Sequence, residues 1–124
     1  MNEIRLQGTA KTPEVVCTLA PFVLMLSGRS IPENSIEFYQ PMMDWVDAHC
    51  RPTSGQLDIK IRLEYFNTSS SKCLMDLLKR IEKSGATAEV SWYYEEEDED
   101  MLEAGEDYDA IIDIPFRLIA TEAL

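Results

Sequence analysis

One segment, residues 57–85, constrains the fold most, because a strand pattern in it passes directly into a helix pattern. Apolar residues first alternate with charged ones in strict period two, as in a β-strand with one polar face. These apolar positions are Leu57, Ile59, Ile61, Leu63 and Tyr65. Four hydroxyl residues follow, and then an apolar stripe at helical spacing, formed by Leu74, Leu77, Leu78 and Ile81, runs toward Gly85, a natural helix stop. The segment therefore predicts a strand, a hydroxyl-rich junction and a helix.

Shorter patterns on either side extend this unit into an alternating fold. Two β-prone runs, 15–19 and 22–26, are separated by Ala20-Pro21 and predict a hairpin. A further strand is predicted from Ala88 to Tyr94, a short helix over 101–108, and a last strand around Phe116, Leu118 and Ala120. Because half-polar strands alternate with helices, we expect an α/β fold. It would have a mixed sheet of about five strands, an N-terminal hairpin and helices mainly on one face.

The helix before the central strand has a clear start and one complication. Asn34 is placed to cap it, and Glu37 can reach back as in a capping box. Its expected inner face consists of Ile36, Tyr39, Met43, Val46 and Cys50. Pro41 interrupts this pattern because proline lacks a backbone donor. Either the helix kinks there, or a short turn ends at Gln40 and the main helix begins near Pro41.

Size and charge limit the classes of function. A chain of 124 residues can bury most of its apolar surface around one core, so we expect a single domain over residues 1–124. The 23 acidic and 11 basic residues give a net charge of -12, which disfavours nucleic acid and anionic lipid as partners. Neither a signal-peptide pattern nor an apolar run of bilayer length is present. We therefore expect a cytoplasmic protein without membrane insertion that binds other proteins.

The residues that enzymes commonly use are sparse in this chain. His49 is the single histidine, and neither a glycine-rich phosphate loop nor a nucleophile elbow is present. Three cysteines share no metal-ligand spacing and are expected to be buried free thiols, namely Cys17, Cys50 and Cys73. The acidic run 95–100 lacks the ligand pattern of a calcium loop, and we expect a solvated loop that could also steer a basic partner. The sequence predicts no metal, cofactor or catalytic residue.

The hydroxyl junction supports two interpretations. Thr68 is placed to be the helix N-cap, with its side-chain oxygen accepting from the amide of Ser70 or Ser71. A phosphoryl group on Thr68 would also meet unpaired amides and the positive end of the helix dipole, with Lys72 one turn further on. The helix carries four of the 11 basic residues, Lys72, Lys79, Arg80 and Lys83. A partner that docks on this basic edge would sense an added phosphate.

Four motifs together resemble the SiaC family of bacterial regulatory phosphoproteins. They are PENS at 32–35, DWV at 44–46, FNTSSSK at 66–72 and VSWYYEEEDEDMLEAGEDY at 90–108. The resemblance covers nearly the whole chain and is weakest in the N-terminal hairpin and the last residues. It implies a fold similar to the STAS-like anti-sigma-factor antagonists, in which a hydroxyl residue at a strand-to-helix junction is phosphorylated.

The resemblance also implies a function. The phosphoacceptor of the family is the threonine of its NTSS motif, which corresponds to Thr68, and a cognate serine/threonine kinase and a PP2C-type phosphatase add and remove the phosphate. The unphosphorylated form binds and activates a diguanylate cyclase, which raises cyclic di-GMP and favours aggregation or biofilm formation. We therefore expect a non-enzymatic switch in which phosphorylation blocks partner binding. The expected supporting residues are Asn67, Ser69, Ser70 and Lys72, and the expected partner contacts are Lys72, Lys79, Arg80 and Lys83.

Other interpretations of the residues remain open. Ser70 is the next candidate for the modified hydroxyl. A constitutive interaction domain could use the polar sheet face or the helix edge without any phosphorylation. A small enzyme or ligand-binding domain could instead use Tyr93, Tyr94 and Glu95 around a cleft.

Overall fold

The computed structural model describes residues 2–124, which form six strands and three helices. The strands are β1 (Ile4–Leu6), β2 (Glu14–Leu19), β3 (Phe22–Ser30), β4 (Leu57–Phe66), β5 (Ala88–Glu95) and β6 (Phe116–Thr121). The helices are α1 (Ser35–His49), α2 (Thr68–Lys83) and α3 (Glu99–Ile111). All six strands belong to one sheet in the order β1-β2-β3-β4-β5-β6. The first three strands are antiparallel neighbours, and β3 to β6 are parallel with one helix in each crossover.

The predicted α/β class, mixed sheet and N-terminal hairpin are confirmed, and two details differ. The sheet has six strands rather than about five, because the three-residue strand β1 pairs with β2. A strand of three residues is too short to show an alternating pattern. The second hairpin strand, β3, also continues to Ser30, past the predicted end of the run 22–26. The register shifts between Gly28 and Arg29, which pair with Leu63 and Tyr65, so Glu64 is an extra residue in β4 and this bulge in β4 lets the pairing continue to Ser30.

All three helices cover the same face of the sheet, as the half-polar strands indicated. Along β4 the apolar residues Leu57, Ile59, Ile61 and Leu63 are buried, whereas Asp58, Lys60 and Arg62 on the opposite face are partly exposed. Tyr65, predicted to continue the buried series, is 51% exposed, because the extra residue Glu64 shifts the alternation. The α1 and α2 helices pack side by side, and α3 contacts β5 and β6. Trp92 of β5 shows the α3 contact directly, since its Nε1 donates a hydrogen bond to the Met101 carbonyl at 3.0 Å.

Helix α1 begins as predicted, but its inner face differs from the expected one. Asn34 caps the helix by accepting a hydrogen bond from the Glu37 amide at 3.1 Å. The helix runs through Pro41 without ending, so the alternative in which the main helix begins near Pro41 is wrong. Ile36, expected on the inner face, is 74% exposed, and the neighbouring Ser35 is buried instead.

The acidic run 95–100 also differs from its prediction of a loop, because Glu95 ends β5 and Glu99 and Asp100 belong to α3. Helix α3 starts at Glu99 and ends at Ile111, so it is longer at both ends than the predicted 101–108. Asp98 is its N-cap and accepts a hydrogen bond from the Met101 amide at 3.0 Å. Acidic residues at a helix start are stabilised by the helix dipole, which gives Asp98, Glu99 and Asp100 a structural role.

Candidate functional site

The hydroxyl junction lies at the edge of the sheet where β3 and β4 end and where α1 and α2 begin. Asn67 has an extended backbone and is the N-cap of α2, so the prediction that Thr68 caps this helix is wrong. The Asn67 side-chain carbonyl accepts from the Ser70 amide at 2.8 Å, and its backbone carbonyl accepts from the Ser71 amide at 2.9 Å. Asparagine is preferred over threonine at N-caps, which explains the one-residue difference.

Thr68 is therefore the first residue of α2, and its side chain is exposed. Its backbone amide and that of Ser69 precede the first intrahelical hydrogen bond, which Ser71 donates. The Thr68 hydroxyl thus stands in solvent at the positive end of the helix dipole, where a negatively charged group is stabilised.

Ser70, in contrast, is completely buried and holds α2 against β3. Its hydroxyl donates to the Ser30 carbonyl at 3.0 Å and accepts from the Ser30 hydroxyl at 2.9 Å. The Ser30 hydroxyl also lies 2.7 Å from the Tyr39 hydroxyl of α1. Burial raises the pKa of Tyr39 to about 12, so this phenol stays neutral and can keep its place in the buried network.

The two remaining serines of the junction also contact other helices. Ser69 Oγ lies 2.7 Å from Ser35 Oγ of α1 and donates to Asn67 Oδ1 at 3.2 Å. Ser71 Oγ lies 2.8 Å from the Tyr108 hydroxyl of α3, which in turn donates to the Ser71 carbonyl at 2.8 Å. Burial raises the pKa of Tyr108, although its hydrogen bond to Ser71 acts in the opposite direction. Each serine is thus engaged by another element, whereas Thr68 is presented to solvent.

Four residues at this junction were not identified as site residues from the sequence: Ser30, Ser35, Tyr39 and Tyr108. They come from β3, α1 and α3, so no spacing rule within one segment connects them to the hydroxyl run. Two of the family-like motifs were available signals. Ser35 of PENS contacts Ser69, and Tyr108, the last residue of the motif at 90–108, contacts Ser71. Three motifs that are distant in sequence therefore form one site.

Comparison with known proteins identifies the family of this chain. Residues 6–121 match the family described as "SiaC family regulatory phosphoprotein". This chain belongs to the SiaC family. Over 123 residues it is 31% identical to an uncharacterised protein of Pseudomonas aeruginosa strain UCBPP-PA14, a match that covers 97% of this chain and 98% of the relative.

Solved structures of SiaC from Pseudomonas aeruginosa share the fold. SiaC alone superimposes with a TM-score of 0.88 at 29% identity, covering 98% of this chain and 100% of the other. SiaC in complex with the diguanylate cyclase SiaD, which it activates, superimposes with a TM-score of 0.87 at 31% identity, covering 95% and 99%. Full-length similarity of this kind supports the SiaC-family resemblance inferred from the motifs.

The basic residues of this SiaC-family protein do not form one patch. Lys72 is exposed near the start of α2, and Lys79 lies seven residues further, about 10 Å along the helix axis. Lys79, Arg80 and Lys83 line a groove of about 660 Å³ between the C-terminal halves of α1 and α2. In this groove Arg80 Nη1 lies 2.7 Å from Asp47 Oδ2. Only Lys72 of the four predicted partner contacts is therefore near the hydroxyl junction.

The alternative cleft around Tyr93, Tyr94 and Glu95 is not assembled. Tyr93 faces the open side of the sheet, with the Arg62 guanidinium carbon 4.7 Å from its ring centre, while Tyr94 packs against the core on the helical side. Glu95 accepts a hydrogen bond from the Leu124 amide at 3.2 Å. Because the two tyrosines point to opposite faces, these residues do not surround one ligand.

The cysteines behave as the sequence predicted, since Cys17, Cys50 and Cys73 are buried and unbridged. Burial raises the pKa of Cys17 to about 12 and that of Cys50 to about 11, which keeps both thiols protonated at neutral pH. Across residues 2–124, no cluster of histidine, cysteine and acidic side chains is arranged to hold a metal ion. In the same residues no helix is long and apolar enough to cross a membrane.

Proposed function

We propose that this protein is a phosphorylation-controlled switch whose unphosphorylated form binds and activates a diguanylate cyclase. The support is the full-length structural similarity to a SiaC chain that was solved together with the cyclase that it activates. Activation of such a cyclase raises cyclic di-GMP, so the switch would control aggregation or biofilm formation. The protein itself would act as a cytoplasmic, single-domain regulator without catalytic activity.

Thr68 is the proposed phosphoacceptor, and one observation carries this assignment. Of the four consecutive hydroxyls, Thr68 is exposed at the first position of α2, whereas Ser69, Ser70 and Ser71 are bonded to other elements. A kinase must bring the acceptor oxygen into its own active site. Only the Thr68 hydroxyl can reach such a site without first breaking a contact that joins α2 to β3, α1 or α3.

A phosphate on Thr68 would change binding without changing the fold. It would add a charge of about -1.5 to -2 at a helix start, where amides and the dipole favour an anion. Asn67, Ser69 and Ser70 hold the geometry of this helix start, and Lys72 supplies a positive charge one turn away. At a protein interface the same dianion must be desolvated or faces like charge, so the partner is released.

The proposed cycle needs two further proteins. A cognate serine/threonine kinase would phosphorylate Thr68, and a PP2C-type phosphatase would restore the free hydroxyl. Exposure of Thr68 supports access by both enzymes, because each must surround the side chain at its own catalytic centre.

The acceptor is tested by incubating the protein with the cognate kinase and ATP and mapping the labelled peptide. Label is expected on Thr68 in the wild type and in Ser69→Ala, which serves as the neighbouring control, and no label is expected in Thr68→Ala. Label that persists in Thr68→Ala would show that another hydroxyl, first of all Ser70, is the acceptor.

The regulatory effect is tested by calorimetric titration of the cyclase with phosphorylated and unphosphorylated protein, together with an assay of cyclic di-GMP synthesis. The unphosphorylated protein should bind and stimulate the cyclase, and the phosphorylated protein should do neither. Equal binding by both forms would favour the alternative of a constitutive interaction domain.

A further inference from the structure

Strand β6 forms one edge of the sheet, and within residues 2–124 no strand pairs with its outer side. Its ladder with β5 runs along the whole strand without a register shift. The Pro115 carbonyl accepts from the Val90 amide at 2.8 Å, and the Thr121 carbonyl accepts from the Glu96 amide at 2.9 Å. Because backbone groups alternate in direction along a strand, the intervening residues 116, 118 and 120 direct their amides and carbonyls outward. The edge therefore presents a row of alternating donors and acceptors.

This edge lacks the features that commonly prevent edge strands from pairing. Natural edges are protected by charged side chains, proline, bulges, very short strands or a covering loop. Residues 116–121 contain neither proline nor a bulge, and their one charged side chain, Arg117, is turned toward Glu89 of the same sheet at 3.7 Å. The chain after β6 turns toward β5, since the Leu124 amide donates to Glu95 Oε1 at 3.2 Å. The other edge of the sheet, in contrast, is the three-residue strand β1.

A second copy of β6 is complementary to this edge. In an antiparallel pair with its two-fold axis at Leu118, the outward groups of Leu118 meet each other and those of Phe116 meet those of Ala120. Three residue pairs with two hydrogen bonds each then satisfy the whole row. On the helical face the large, partly buried Phe116 lies opposite the small, exposed Ala120. On the open face Arg117 lies opposite Ile119, so like charges do not oppose each other.

We infer that two copies of this protein associate through their β6 strands and form one continuous sheet. The inference goes beyond the proposed function and does not depend on it, because α2 begins after β4, two strands away from β6, and Thr68 stays exposed in each copy. One strand pair is a small contact compared with the roughly 1,600 Å² of a standard interface, and each copy has a net charge of -12. The dimer should therefore be weak, and added salt should strengthen it by screening the repulsion.

Disulfide formation between two cysteine variants tests the pairing and its register. Positions 117 and 119 of different copies would lie directly opposite each other, with Cα atoms about 4.5 Å apart, which a disulfide can span. Two copies of Arg117→Cys alone, or of Ile119→Cys alone, would place the replaced positions diagonally, about 7 to 8 Å apart, which is too far. After mild oxidation, an equimolar mixture of the two variants should give a linked dimer on a non-reducing gel. Each variant alone should not, and neither should the wild type, whose native thiols are buried.

Sedimentation at increasing protein concentration measures the association itself. Ala120→Pro removes an outward amide that does not pair with β5, so the sheet should stay intact, which urea unfolding verifies. Each dimer would lose two of its hydrogen bonds, and its Kd should rise about tenfold or more. Ala123→Pro, which places the same ring just beyond β6, is the matched control and should stay within about twofold of wild type.

Three results would overturn the inference. A wild type that stays monomeric at every concentration, with no disulfide in the mixture, would leave the edge to an extended segment of another protein. A dimer that Ala120→Pro does not weaken would have its interface elsewhere. Disulfides that form as readily in the single variants as in the mixture would exclude the pairing at Leu118. None of these results bears on cyclase binding, which the calorimetric titration measures separately.

Discussion

The hydroxyl oxygens of Ser35 and Ser69 lie 2.7 Å apart, although the two residues are separated by 34 positions in sequence. This contact joins the first turns of α1 and α2 at the ends of two parallel strands. Two helix starts therefore meet at one edge, and the exposed Thr68 lies in the first turn of α2, before the first intrahelical hydrogen bond donated by Ser71. The position that a kinase would modify is thus held by both helices and by the buried Ser70.

The N-cap of α2, Asn67, and the proposed phosphoacceptor, Thr68, should contribute differently to the free energy of unfolding. Asn67→Ala removes the side-chain carbonyl that accepts from the Ser70 amide, and we expect a loss of about 1 kcal/mol in the free energy of unfolding. Thr68→Ala changes an exposed side chain and should alter stability by less than about 0.5 kcal/mol. Urea unfolding of both variants measures the difference. A larger loss for Thr68→Ala than for Asn67→Ala would restore Thr68 as the cap.

Ser70 should contribute to stability rather than to phosphorylation. Ser70→Ala removes the hydrogen bonds to the Ser30 hydroxyl and carbonyl in a fully buried site, and we expect a loss of about 1 to 3 kcal/mol. Ser69→Ala, in the same turn but exposed, is the matched control and should lose about 1 kcal/mol or less. Urea unfolding measures both values. Similar small losses in the two variants would contradict the structural role of Ser70.

Much of the fold was predictable, because the periodic spacing of apolar residues extends over many positions in its central strand and helix. The alternation from Leu57 to Leu63 and the stripe from Leu74 to Ile81 predicted the central strand–helix unit and the face that the helices cover, but Tyr65 does not continue the alternation. Strand β1 was missed because three residues carry no period. The bulge at Glu64 of β4 was missed because it depends on how β4 pairs with β3, and the sequence of one strand does not show that register.

The site was only partly predictable, because its geometry depends on contacts between distant segments. The hydroxyl run and the resemblance pointed to Thr68 as the acceptor. The N-cap was predicted one residue too late, at Thr68 instead of Asn67, even though asparagine is the stronger N-cap residue. Helical spacing placed Ile36 inside, whereas the hydrogen bond of Ser35 to Ser69 turns Ser35 inward and leaves Ile36 outside. A polar residue on an inner face cannot be foreseen until its partner is known.

The free energy of unfolding should decrease at alkaline pH, because two buried cysteine thiols keep their protons in the folded state. Burial raises the pKa of Cys17 from an ordinary value of 9.0 to about 12 and that of Cys50 to about 11. The unfolded chain releases these protons near pH 9 while the folded chain retains them. The free energy of unfolding is therefore unaffected by these thiols below pH 9 and falls as pH rises toward 11 and 12, by up to about 1.4 kcal/mol per pH unit for each thiol.

Urea unfolding of wild type and Cys17→Ala at a series of pH values measures this dependence. The variant is expected to be less stable at neutral pH, because it leaves a cavity, but its stability should fall less steeply above pH 9. Parallel pH profiles for the two proteins would show that Cys17 does not retain its proton in the folded state.

Close packing around Gly105 of α3 should make alanine unfavourable there, although alanine has the higher helix propensity. Propensity alone predicts that Gly105→Ala stabilises the helix by about 1 kcal/mol. A Cβ at this position would lie 2.7 Å from Trp92 Cδ1 and Nε1 and 2.8 Å from Leu118 Cδ2, closer than real Cβ contacts. Trp92 is fully buried and hydrogen-bonded to Met101, so it cannot move aside without breaking that bond. We therefore expect Gly105→Ala to destabilise the protein by about 1 to 3 kcal/mol.

Asp107→Ala, two residues further along α3, is the control, because it should change the free energy of unfolding in the opposite direction. Asp107 is exposed in the C-terminal half of the helix, where its charge opposes the dipole and its propensity is below that of alanine. Its replacement should stabilise the protein by a few tenths of a kcal/mol, about 0.5 at most. Thermal or urea unfolding should thus move in opposite directions for two alanine substitutions in one helix. If Gly105→Ala instead raised stability, the close packing of α3 against Trp92 and Leu118 would be wrong.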